Sequence, residues 1–394
     1  MNSFDVIIIG AGASGLMCAL TAAQRGKKVL VLEHEKKAGK KILISGGGKC
    51  NFTNYDVSAD NYLSQNPHFC KSALSRFNQY DFIALIEKYH IAYEERQFGQ
   101  LFCIDSAKQI LDMLLTECYL NKVNILLNMS ISNIEKKDES FSIKTSDNHF
   151  NCHSLVIASG GISIPKMGAT DFGYQIAKQF QHKIVRTDPG LVPFILPDKL
   201  LSQTKQLSGT ALNATVSCND KIFNDNLLFT HQGLSGPVIL QISNYWHHND
   251  TVNINLLPLD NLSDSLQQAK HKNPEQYLKS FLHHKTGLTK KLIHVWLSDN
   301  ELDKKLKHLN EQNISDLHQR FHSWQVIPAK TSGFRIAEVT RGGVDTQDIS
   351  SKTFMSNKIN NLFFIGEVLD VTGWLGGYNF QWAWSSGFCA GKHV

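Results

Sequence analysis

The eight cysteines of this 394-residue chain include no Cys-x-x-Cys pair. They lie far apart in sequence, at positions 18, 50, 70, 103, 118, 152, 218 and 389. This spacing predicts free thiols in a reducing compartment and not a disulfide framework. The lack of a close pair also excludes an enzyme that relays electrons through a redox-active disulfide.

The chain also lacks a dense block of charge of either sign. Its 40 basic and 35 acidic residues leave a net charge of +5, and Lys and Arg are scattered along the sequence. A mildly basic surface of this kind helps anionic ligands to approach, but it is not the footprint of a nucleic-acid-binding protein. The composition therefore favours a small-molecule substrate and disfavours a nucleic-acid partner.

A long uninterrupted apolar run is missing as well. The stretch 4–23 is fairly apolar, but no Lys or Arg precedes it, Asp5 lies inside it and glycines interrupt it. A signal peptide starts with basic residues, and a membrane helix needs about 20 apolar residues. We therefore expect a cytoplasmic protein with no membrane segment.

The N-terminal end does contain a complete strand–glycine turn–helix–strand pattern. The β-branched run Phe4–Ile9 predicts a buried parallel strand, and Gly10-Ala11-Gly12-Ala13-Ser14-Gly15 follows it directly. A helix is expected over 16–24 and a second strand over 28–32, ending at Glu33. An acid about 20 residues after such glycines completes a dinucleotide-binding fingerprint.

Each part of this pattern has a physical role in holding a nucleotide. Gly10 permits the tight turn, Gly12 lets the backbone approach a diphosphate, and Gly15 lets the helix pack closely on the strand. The helix N-terminus offers free N–H groups to the phosphates. Glu33 can accept hydrogen bonds from ribose hydroxyls, and its charge would repel a 2′-phosphate.

The C-terminal end indicates which dinucleotide is bound. An apolar run at 362–365 ends in Gly366-Glu367, and the glycine-rich loop 373–379 leads into a helix expected from Phe380 to about Gly391. In FAD enzymes such a late strand meets the ribityl chain, and the next helix directs its N-terminus at the flavin pyrimidine. Reduced flavin is negative there, so a helix N-terminus stabilises it. The sequence therefore predicts FAD.

Several further blocks resemble one family over nearly the whole chain. They are Gly39–Asn54, Ala158–Gly161, Phe229–Pro237, Gly366–Asp370 and Gly376–Asn379. The chain resembles the BaiN-like bacterial NAD(P)/FAD-dependent oxidoreductases in carrying this set.

One loop departs from the pattern of these relatives. After Phe98 the chain reads Gly99-Gln100-Leu101-Phe102, where many relatives have Gly-Arg followed by an aromatic residue and proline. We therefore leave this loop out of the predicted site.

The resemblance implies an α/β fold with a discontinuous, Rossmann-like FAD/NAD(P)-binding domain formed by residues 1–190 and 336–394. A β-barrel insert is expected at 191–260 and about 322–335, and a small helical insert at 261–321. The local sequence agrees. Short β-branched runs separated by Asn, Asp and Gly occupy 192–257, whereas 264–321 has helical spacing and one glycine, Gly287.

The predicted cofactor-binding residues come from both ends of the chain and from the blocks between them. They are Gly10, Gly12, Ala13, Ser14, Gly15, Glu33, His34, Lys40, Lys41, Ser45, Gly46, Gly47, Asn51, Met129, Ser130, Ala158, Ser159, Gly160, Gly366, Glu367, Gly376, Gly377, Tyr378 and Asn379.

Some of these residues have a second interpretation. By resemblance, Lys40 or Lys41 lies near phosphate, although the two could form a solvated surface pair. Asn51 and Asn54 could equally be turn residues. Cys50 is interpreted as a packing residue in preference to one beside the flavin.

His231, in the block Phe229–Pro237, is the one candidate for a catalytic residue. It could exchange a proton with a substrate, or it could fix the loop together with Thr230 and Ser235. The adjacent pairs His247-His248 and His283-His284 do not make a metal site, because neighbouring side chains point in different directions.

These features predict an FAD-dependent oxidoreductase that transfers hydride between flavin and an unidentified small molecule. No second complete glycine fingerprint is present, so NAD(P)H is expected only as a transient co-substrate. The alternative is a binding or RNA-associated protein in which the flavin is structural or a sensor.

Overall fold

The computed structural model describes residues 2–394, so Met1, the first residue of the predicted FAD-binding domain, lies outside the described residues. The described chain divides into two compact units. The first contains the residues up to Pro189 together with Glu338–Val394, and the second is Gly190–Ala337. Both ends of the chain therefore build one unit.

The strands, in chain order, are β1 (Asn2–Ile9), β2 (Val29–Leu32), β3 (Asn51–Asn54), β4 (Tyr62–Leu63), β5 (Tyr93–Glu95), β6 (Gln100–Cys103), β7 (Asn124–Leu126), β8 (Ile131–Lys137), β9 (Ser140–Thr145), β10 (His149–Ile157), β11 (Ile184–Gly190), β12 (Phe194–Ile195), β13 (Ala211–Cys218), β14 (Lys221–Phe229), β15 (Gly233–Ser235), β16 (Val252–Asn255), β17 (Trp324–Val326), β18 (Lys330–Thr331), β19 (Val339–Val344), β20 (Leu362–Phe364) and β21 (Thr372–Gly373).

The α-helices are α1 (Ala13–Ala23), α2 (Lys40–Gly48), α3 (Lys71–Arg76), α4 (Gln79–Lys88), α5 (Lys108–Leu120), α6 (Phe172–Gln179), α7 (Asp198–Thr204), α8 (Pro237–Ser243), α9 (Leu262–Lys272), α10 (Leu278–Thr286), α11 (Lys290–Trp296), α12 (Asp299–Leu302), α13 (Glu311–His322) and α14 (Tyr378–Gly391). Short 3-10 turns occupy Ala59–Asn61, Gln97–Gly99, Pro165–Met167, Lys205–Leu207, Leu306–His308, Thr346–Asp348 and Gly366–Val368.

The main sheet of the first unit has a parallel centre. Strands β7, β2, β1 and β10 are neighbours in that order, and β20 pairs with the end of β10. The register places Ile9 opposite both Leu32 and Ile157, so these three strands end at the same level. The antiparallel strands β9 and β8 extend the sheet from the first half of β10. This arrangement confirms the predicted α/β, Rossmann-like fold.

Glycines let the two ends of the chain pack closely together. A β-carbon at Gly387 of α14 would clash with the carbonyl oxygen of Ser14 in α1, and one at Gly391 would lie 2.8 Å from the carbonyl oxygen of Cys18. Because these glycines are four residues apart, they lie on one face of α14. Helices α1 and α14 therefore meet backbone to backbone, beside the predicted nucleotide site.

The second unit is built on a seven-stranded sheet in the order β17-β16-β13-β14-β15-β12-β18. The first and last strands of this path are joined by only 327–329, which span at most about 14 Å. A flat sheet of this size would separate its edges by about 29 Å. The sheet must therefore curl until its two edges approach, as in a barrel.

Helices α9–α13 belong to the same compact unit as this curled sheet. Side chains from both, including Val216 and Phe229 of the sheet and Leu266, Leu282 and Phe321 of the helices, share one apolar core. The predicted division of this region into a barrel and a separate helical domain stays a prediction. Among the described residues, no helix is both long and apolar enough to cross a membrane.

Candidate functional site

The glycine turn after β1 has one crowded side and one open side. A β-carbon at Gly10, where φ is +109°, would lie 2.5 Å from the carbonyl oxygen of Ala158, and one at Gly15 would clash with the carbonyl oxygen of Gly10. A β-carbon at Gly12 would meet no atom within 4 Å. Gly10 and Gly15 are therefore needed for packing, whereas Gly12 leaves space for a ligand.

Helix α1 begins at this open side without a cap. Gly12 occupies the N-cap position, no side chain caps the helix, and the first turn holds no acidic residue. The helix starts three residues earlier than expected, so Ala13, Ser14 and Gly15 all lie in its first turn. Their N–H groups have no partner within the helix. The partial positive charge of this terminus is thus available to a phosphate.

Glu33 lies at the end of β2, where its carboxylate is held by the backbone. One oxygen accepts from the N–H of Ala11 at 2.8 Å, and the other accepts from the N–H of Glu35 at 2.9 Å. His34 Nδ1 lies 3.1 Å from the second oxygen. Burial alone would raise the pKa of Glu33, but these hydrogen bonds outweigh it and the pKa is lowered. The carboxylate is thus ionised and keeps free lone pairs for hydroxyl donors.

The neighbours of Glu33 complete this edge of the site. The hydrogen bond to Glu33 raises the pKa of His34. Lys40 pairs with Glu35 at 3.0 Å, so its charge is engaged there. The N–H of Met129 donates to the carbonyl of Glu33 at 2.8 Å, and Ser130 follows it in an exposed position. The structure therefore places Met129 beside Glu33, and the cofactor contact expected of Met129 and Ser130 stays a prediction.

The segment after β10 lies directly against the glycine turn. The N–H of Ala158 donates to the carbonyl of Ile9 at 2.9 Å. The hydroxyl of Ser159 is buried and lies where a β-carbon at Gly173 of α6 would be, so it faces this helix. Gly160 has a φ of +74° and leads the chain away from the turn. Ser159 can therefore serve a ligand at the turn through its backbone only.

The block that begins with α2 contains a left-handed backbone loop. Ser45 is extended, with ψ of 150°, and Gly46 and Gly47 have φ values of +55° and +65°. A β-carbon at Gly46 would lie 2.8 Å from the backbone nitrogen of Asn51, whereas β-carbons at Gly47 and Gly48 would meet nothing within 4 Å. This loop therefore presents bare backbone to open space, as a bulky ligand requires.

Cys50, directly after this loop, is fully buried. Burial raises the pKa of its thiol to about 12. The thiolate is therefore scarcely populated near neutral pH, which fits a packing role.

Lys41 and Glu367 join α2 to the segment after β20. The Lys41 ammonium lies 2.7 Å from Glu367 Oε2 and 3.0 Å from the hydroxyl of Ser163. Glu367 Oε1 accepts from the N–H of Thr340 at 2.9 Å and from the Ser163 hydroxyl at 3.2 Å. The Lys41 side chain is 39% exposed, but its charge is engaged in this long-range ion pair. A β-carbon at the adjacent Gly366 would lie 2.5 Å from the Ser14 hydroxyl, which brings this segment to the first turn of α1.

The loop before α14 is fixed by asparagine side chains. Asn379 accepts from the N–H of Gly373 at 2.8 Å and donates to the carbonyls of Gly373 at 2.9 Å and Trp374 at 3.2 Å. Asn54 donates to the carbonyl of Gly376 at 2.9 Å. In the amide orientation that satisfies its neighbours, Asn51 accepts from the N–H of Gly377 at 3.1 Å. The three side chains therefore hold the backbone of this loop in place.

Sequence motifs did not identify several residues of this framework. The hydroxyl of Thr340 accepts from the N–H groups of Ile162 and Ser163 at 2.9 and 3.1 Å. The buried hydroxyl of Thr53 donates to Gln381 at 2.6 Å. No spacing in the sequence links these partners, because each bond joins segments more than 170 positions apart.

His231 belongs to the second unit, where it is exposed on the turn between β14 and β15. The hydroxyl of Thr230 closes this turn by accepting from the N–H groups of Gln232 at 3.3 Å and Gly233 at 3.0 Å. The backbone N–H of Thr230 donates to the carbonyl of Gly233 at 2.8 Å. These bonds hold the turn without the His231 side chain.

Comparison with known proteins identifies relatives across the whole chain. The chain is 49% identical to a ribosomal RNA dihydrouridine synthase of Escherichia coli, covering 100% of this chain and 98% of that protein. It is 28% identical to a 3-dehydro-bile acid delta(4,6)-reductase of Clostridium scindens, covering 98% and 97%.

A solved structure shows the same fold at low identity. The 3-ketosteroid-delta4-(5alpha)-dehydrogenase of Rhodococcus jostii RHA1 aligns with 100% of this chain and 97% of its own at a TM-score of 0.50 and 14% identity. The family model described as the HI0933-like protein Rossmann domain matches residues 4–393. This family is one of FAD-binding flavoproteins, and the BaiN-like resemblance fits it. The chain therefore belongs to the HI0933-like Rossmann-domain family.

Proposed function

We propose that this protein is an FAD-dependent reductase that forms dihydrouridine in ribosomal RNA. The observation that carries this proposal is the 49% identity, over the full length of both chains, to the E. coli protein of that name. A Haemophilus influenzae protein of the same name is 48% identical over 98% of this chain. The identity to the bile acid reductase is much lower, at 28%.

The residues of the first unit fit FAD. The open backbone at Gly12 and the uncapped start of α1 would hold the diphosphate. The ionised carboxylate of Glu33 would accept from ribose hydroxyls. The bare backbone of Gly47 and Gly48 leaves room for a large planar group. This assignment of residues to parts of the cofactor belongs to the proposal.

The reaction adds two hydrogens across the C5=C6 double bond of uracil. When bound and reduced, FAD would supply a hydride to one carbon, and a proton must reach the other. NAD(P)H is the proposed source of the electrons that reduce the flavin. The C4 carbonyl conjugated to the double bond takes up negative charge as hydride arrives, so a hydrogen-bond donor near that oxygen would lower the barrier.

The chain itself supplies position and electrostatics. Helix α14 begins at Tyr378, after the N-cap Gly377, and has no acidic residue in its first turn, so its N-terminus can stabilise a negatively charged reduced flavin. Asn379 and Asn54 hold the loop that leads into this helix. The Lys41–Glu367 pair keeps α2 and the segment after β20 together. These contacts preorganise the site before substrate arrives.

This proposal departs from the expectation of a small-molecule substrate. That expectation relied on scattered Lys and Arg and a net charge of only +5. A weak overall charge lowers long-range attraction for RNA, but it does not prevent a local contact with one exposed base. The proposed function thus takes the RNA partner from the alternative prediction and the flavin chemistry from the oxidoreductase prediction.

A second candidate is the reduction of a small conjugated ketone. The match to the bile acid reductase supports it, because that match covers 98% of this chain and 97% of the relative. The chemistry is analogous, since both reactions add hydrogen to a double bond conjugated with a carbonyl group. The two candidates therefore differ in substrate and not in the class of reaction.

The test uses purified full-length protein with FAD in oxygen-free buffer. Ribosomal RNA transcribed in vitro is added with NADH or NADPH, digested to nucleosides and analysed by mass spectrometry. We expect a flavin spectrum that bleaches with one donor and a uridine product heavier by two hydrogens. A parallel reaction contains a conjugated ketosteroid in place of RNA.

Each outcome separates the candidates. Dihydrouridine without steroid reduction supports the proposed function. Steroid reduction without dihydrouridine supports the second candidate and contradicts the first. A colourless protein that does not take up FAD contradicts both.

A further inference from the structure

The hairpin tip between β5 and β6, which leads into the loop left out of the predicted site, carries an unusual side chain. Phe98 has a φ of +59° and a ψ of 36°, a left-handed conformation that is rare for a bulky residue. Its side chain is 60% exposed. Among the residues that the structure describes, it is the one phenylalanine in the group of exposed large apolar side chains.

Folding gives no reason for an aromatic residue at this position. The left-handed backbone is strained for phenylalanine, whereas glycine or asparagine adopts it readily. An exposed ring gains little from burial. A residue that is both strained and exposed lowers stability, and such residues concentrate at binding sites.

The tip is nevertheless held in one place. The N–H of Arg96 donates to the carbonyl of Gln100 at 2.8 Å and closes the hairpin. The N–H of Tyr55 donates to the carbonyl of Gly99 at 2.8 Å, which fastens the tip to the end of β3. The strained conformation is thus fixed by its surroundings and is not a property of a loose loop.

One buried side chain connects this tip to the loop before α14. The Asn54 amide nitrogen donates to the carbonyl of Phe98 and to the carbonyl of Gly376, each at 2.9 Å. Asn54 is 1% exposed. A β-carbon at Gly376 would also lie 3.2 Å from the side chain of Gln100, on the strand that follows the tip. The backbone of Phe98 is therefore connected through Asn54 to the same loop that is proposed to meet the flavin.

We propose that Phe98 is a substrate-binding residue whose exposed ring stacks on the uracil base to be reduced. An aromatic face binds any planar base without hydrogen bonds, and enzymes that modify a base in RNA hold it outside its helix, often against such a face. The ring would position the base beside the reactive part of the cofactor. This inference rests on the proposed function, because it requires a planar base as substrate.

The test compares two substitutions at Phe98 with one elsewhere. Phe98→Asn removes the ring and suits the left-handed backbone. Phe98→Tyr keeps both the ring and the strain. Tyr119→Ala, in α5, removes an aromatic side chain that is 80% exposed and serves as the control. Each full-length variant is assayed with FAD, NAD(P)H and ribosomal RNA transcribed in vitro.

We expect Phe98→Asn to lower kcat/KM for dihydrouridine formation by about tenfold or more, mainly through a higher KM for the RNA. Reduction of its flavin by NAD(P)H should equal that of the wild type. Its Tm should rise by about 2 °C, because the strain is relieved. Phe98→Tyr should stay within about threefold of the wild type, and Tyr119→Ala should not change the kinetics. A purely structural role would predict the opposite, a lower Tm and a slower reduction of the flavin.

The outcomes separate this inference from the proposed function. If the wild type forms dihydrouridine and Phe98→Asn does so with unchanged kcat/KM, the stacking role is wrong and the proposed function stands. A Phe98→Asn variant with normal KM but slow flavin reduction also contradicts stacking. If the wild type forms no dihydrouridine, the proposed function fails and the stacking role fails with it.

Discussion

The ammonium of Lys41 lies 2.7 Å from Oε2 of Glu367, a residue 326 positions further along the chain. The pair connects α2 with the segment after β20, and the Ser163 hydroxyl bonds to both partners. The adjacent Lys40 pairs instead with Glu35, only five positions away. Two neighbouring lysines therefore have different structural roles, one of long range and one local.

Lys41→Met should weaken FAD binding and stability more than Lys40→Met does. Loss of Lys41 leaves the Glu367 carboxylate, whose side chain is 19% exposed, without its cation. We expect a cost of about 1–2 kcal/mol in the free energy of unfolding. Loss of Lys40 should lower the free energy of unfolding by less than about 1 kcal/mol, because its partner Glu35 is more exposed than Glu367, at 28% against 19%. Urea unfolding of the apo-protein measures stability, and titration with FAD measures binding. If the two substitutions change these quantities equally, the role of the Lys41–Glu367 pair is contradicted.

Gly12→Ala and Gly15→Ala should fail in different ways. Gly12 has a φ of −83°, and a β-carbon there meets nothing within 4 Å, so the alanine variant should fold normally. It should bind FAD at least about tenfold more weakly, because the methyl group occupies the space of the diphosphate. A β-carbon at Gly15 clashes with the backbone of Gly10, so this variant should lose stability with or without FAD.

The retained flavin absorbance and the Tm of the apo-protein distinguish the two effects. Wild-type FAD affinity in a folded Gly12→Ala variant would show that the diphosphate does not pass this side of the turn.

The Glu33–His34 pair should stabilise the apo-protein most in mildly acidic solution. The pKa of Glu33 is lowered, so its contribution is complete above its unfolded value of about 4.3 and is lost as the pH falls through the folded pKa. The pKa of His34 is raised, so its contribution is complete below about 6.5 and is lost as the pH rises through the folded pKa. The difference in Tm between wild type and His34→Gln should therefore be largest between about pH 4.3 and 6.5. A difference that stays constant from pH 4 to about 9 would contradict this pairing.

The thiols should be unreactive in the folded protein. All eight cysteines, each within the described residues, are buried and free. Burial raises the pKa of Cys50 and of Cys103 to about 12. A disulfide reagent at about pH 8 should therefore label less than about one thiol per folded chain, and all eight after unfolding in guanidinium. Rapid labelling of the native protein would reveal an exposed thiolate and reopen a redox role for cysteine.

The sequence predicted the ends of the chain best, because their signals are local. Val29–Leu32 is a short, fully buried apolar run, and the glycines before α1 follow a fixed spacing that a nucleotide-binding turn requires. Strand, turn and helix could therefore be recognised together. The predicted start of α1 was three residues too late, because Ala13, Ser14 and Gly15 were assigned to the turn and not to the helix. Helix α2 was not predicted, since its glycines form a left-handed loop within the same element.

The long-range contacts could not be predicted from one sequence. Thr340 and Ser163, or Asn54 and Gly376, meet only because the fold brings segments together that are far apart in the sequence. The strain at Phe98 was equally hidden, since a φ of +59° follows from the hairpin geometry and not from the residue type. Phenylalanine would ordinarily predict a buried or extended position. The residues found only in the structure are thus those whose role depends on tertiary contacts.

The two interpretations of His231 make opposite predictions that two variants can separate. Its side chain is exposed, and the turn is closed by the hydroxyl and backbone of Thr230. We therefore expect His231→Gln to keep the wild-type Tm. Thr230→Val should lower the free energy of unfolding by about 1 kcal/mol, because two hydrogen bonds to the Thr230 hydroxyl are lost. If His231 delivers the proton, His231→Gln should lower kcat for dihydrouridine formation by about 100-fold and leave flavin reduction by NAD(P)H unchanged. If kcat stays as in the wild type, His231 has no part in proton transfer, and the proton must come from solvent or from another residue.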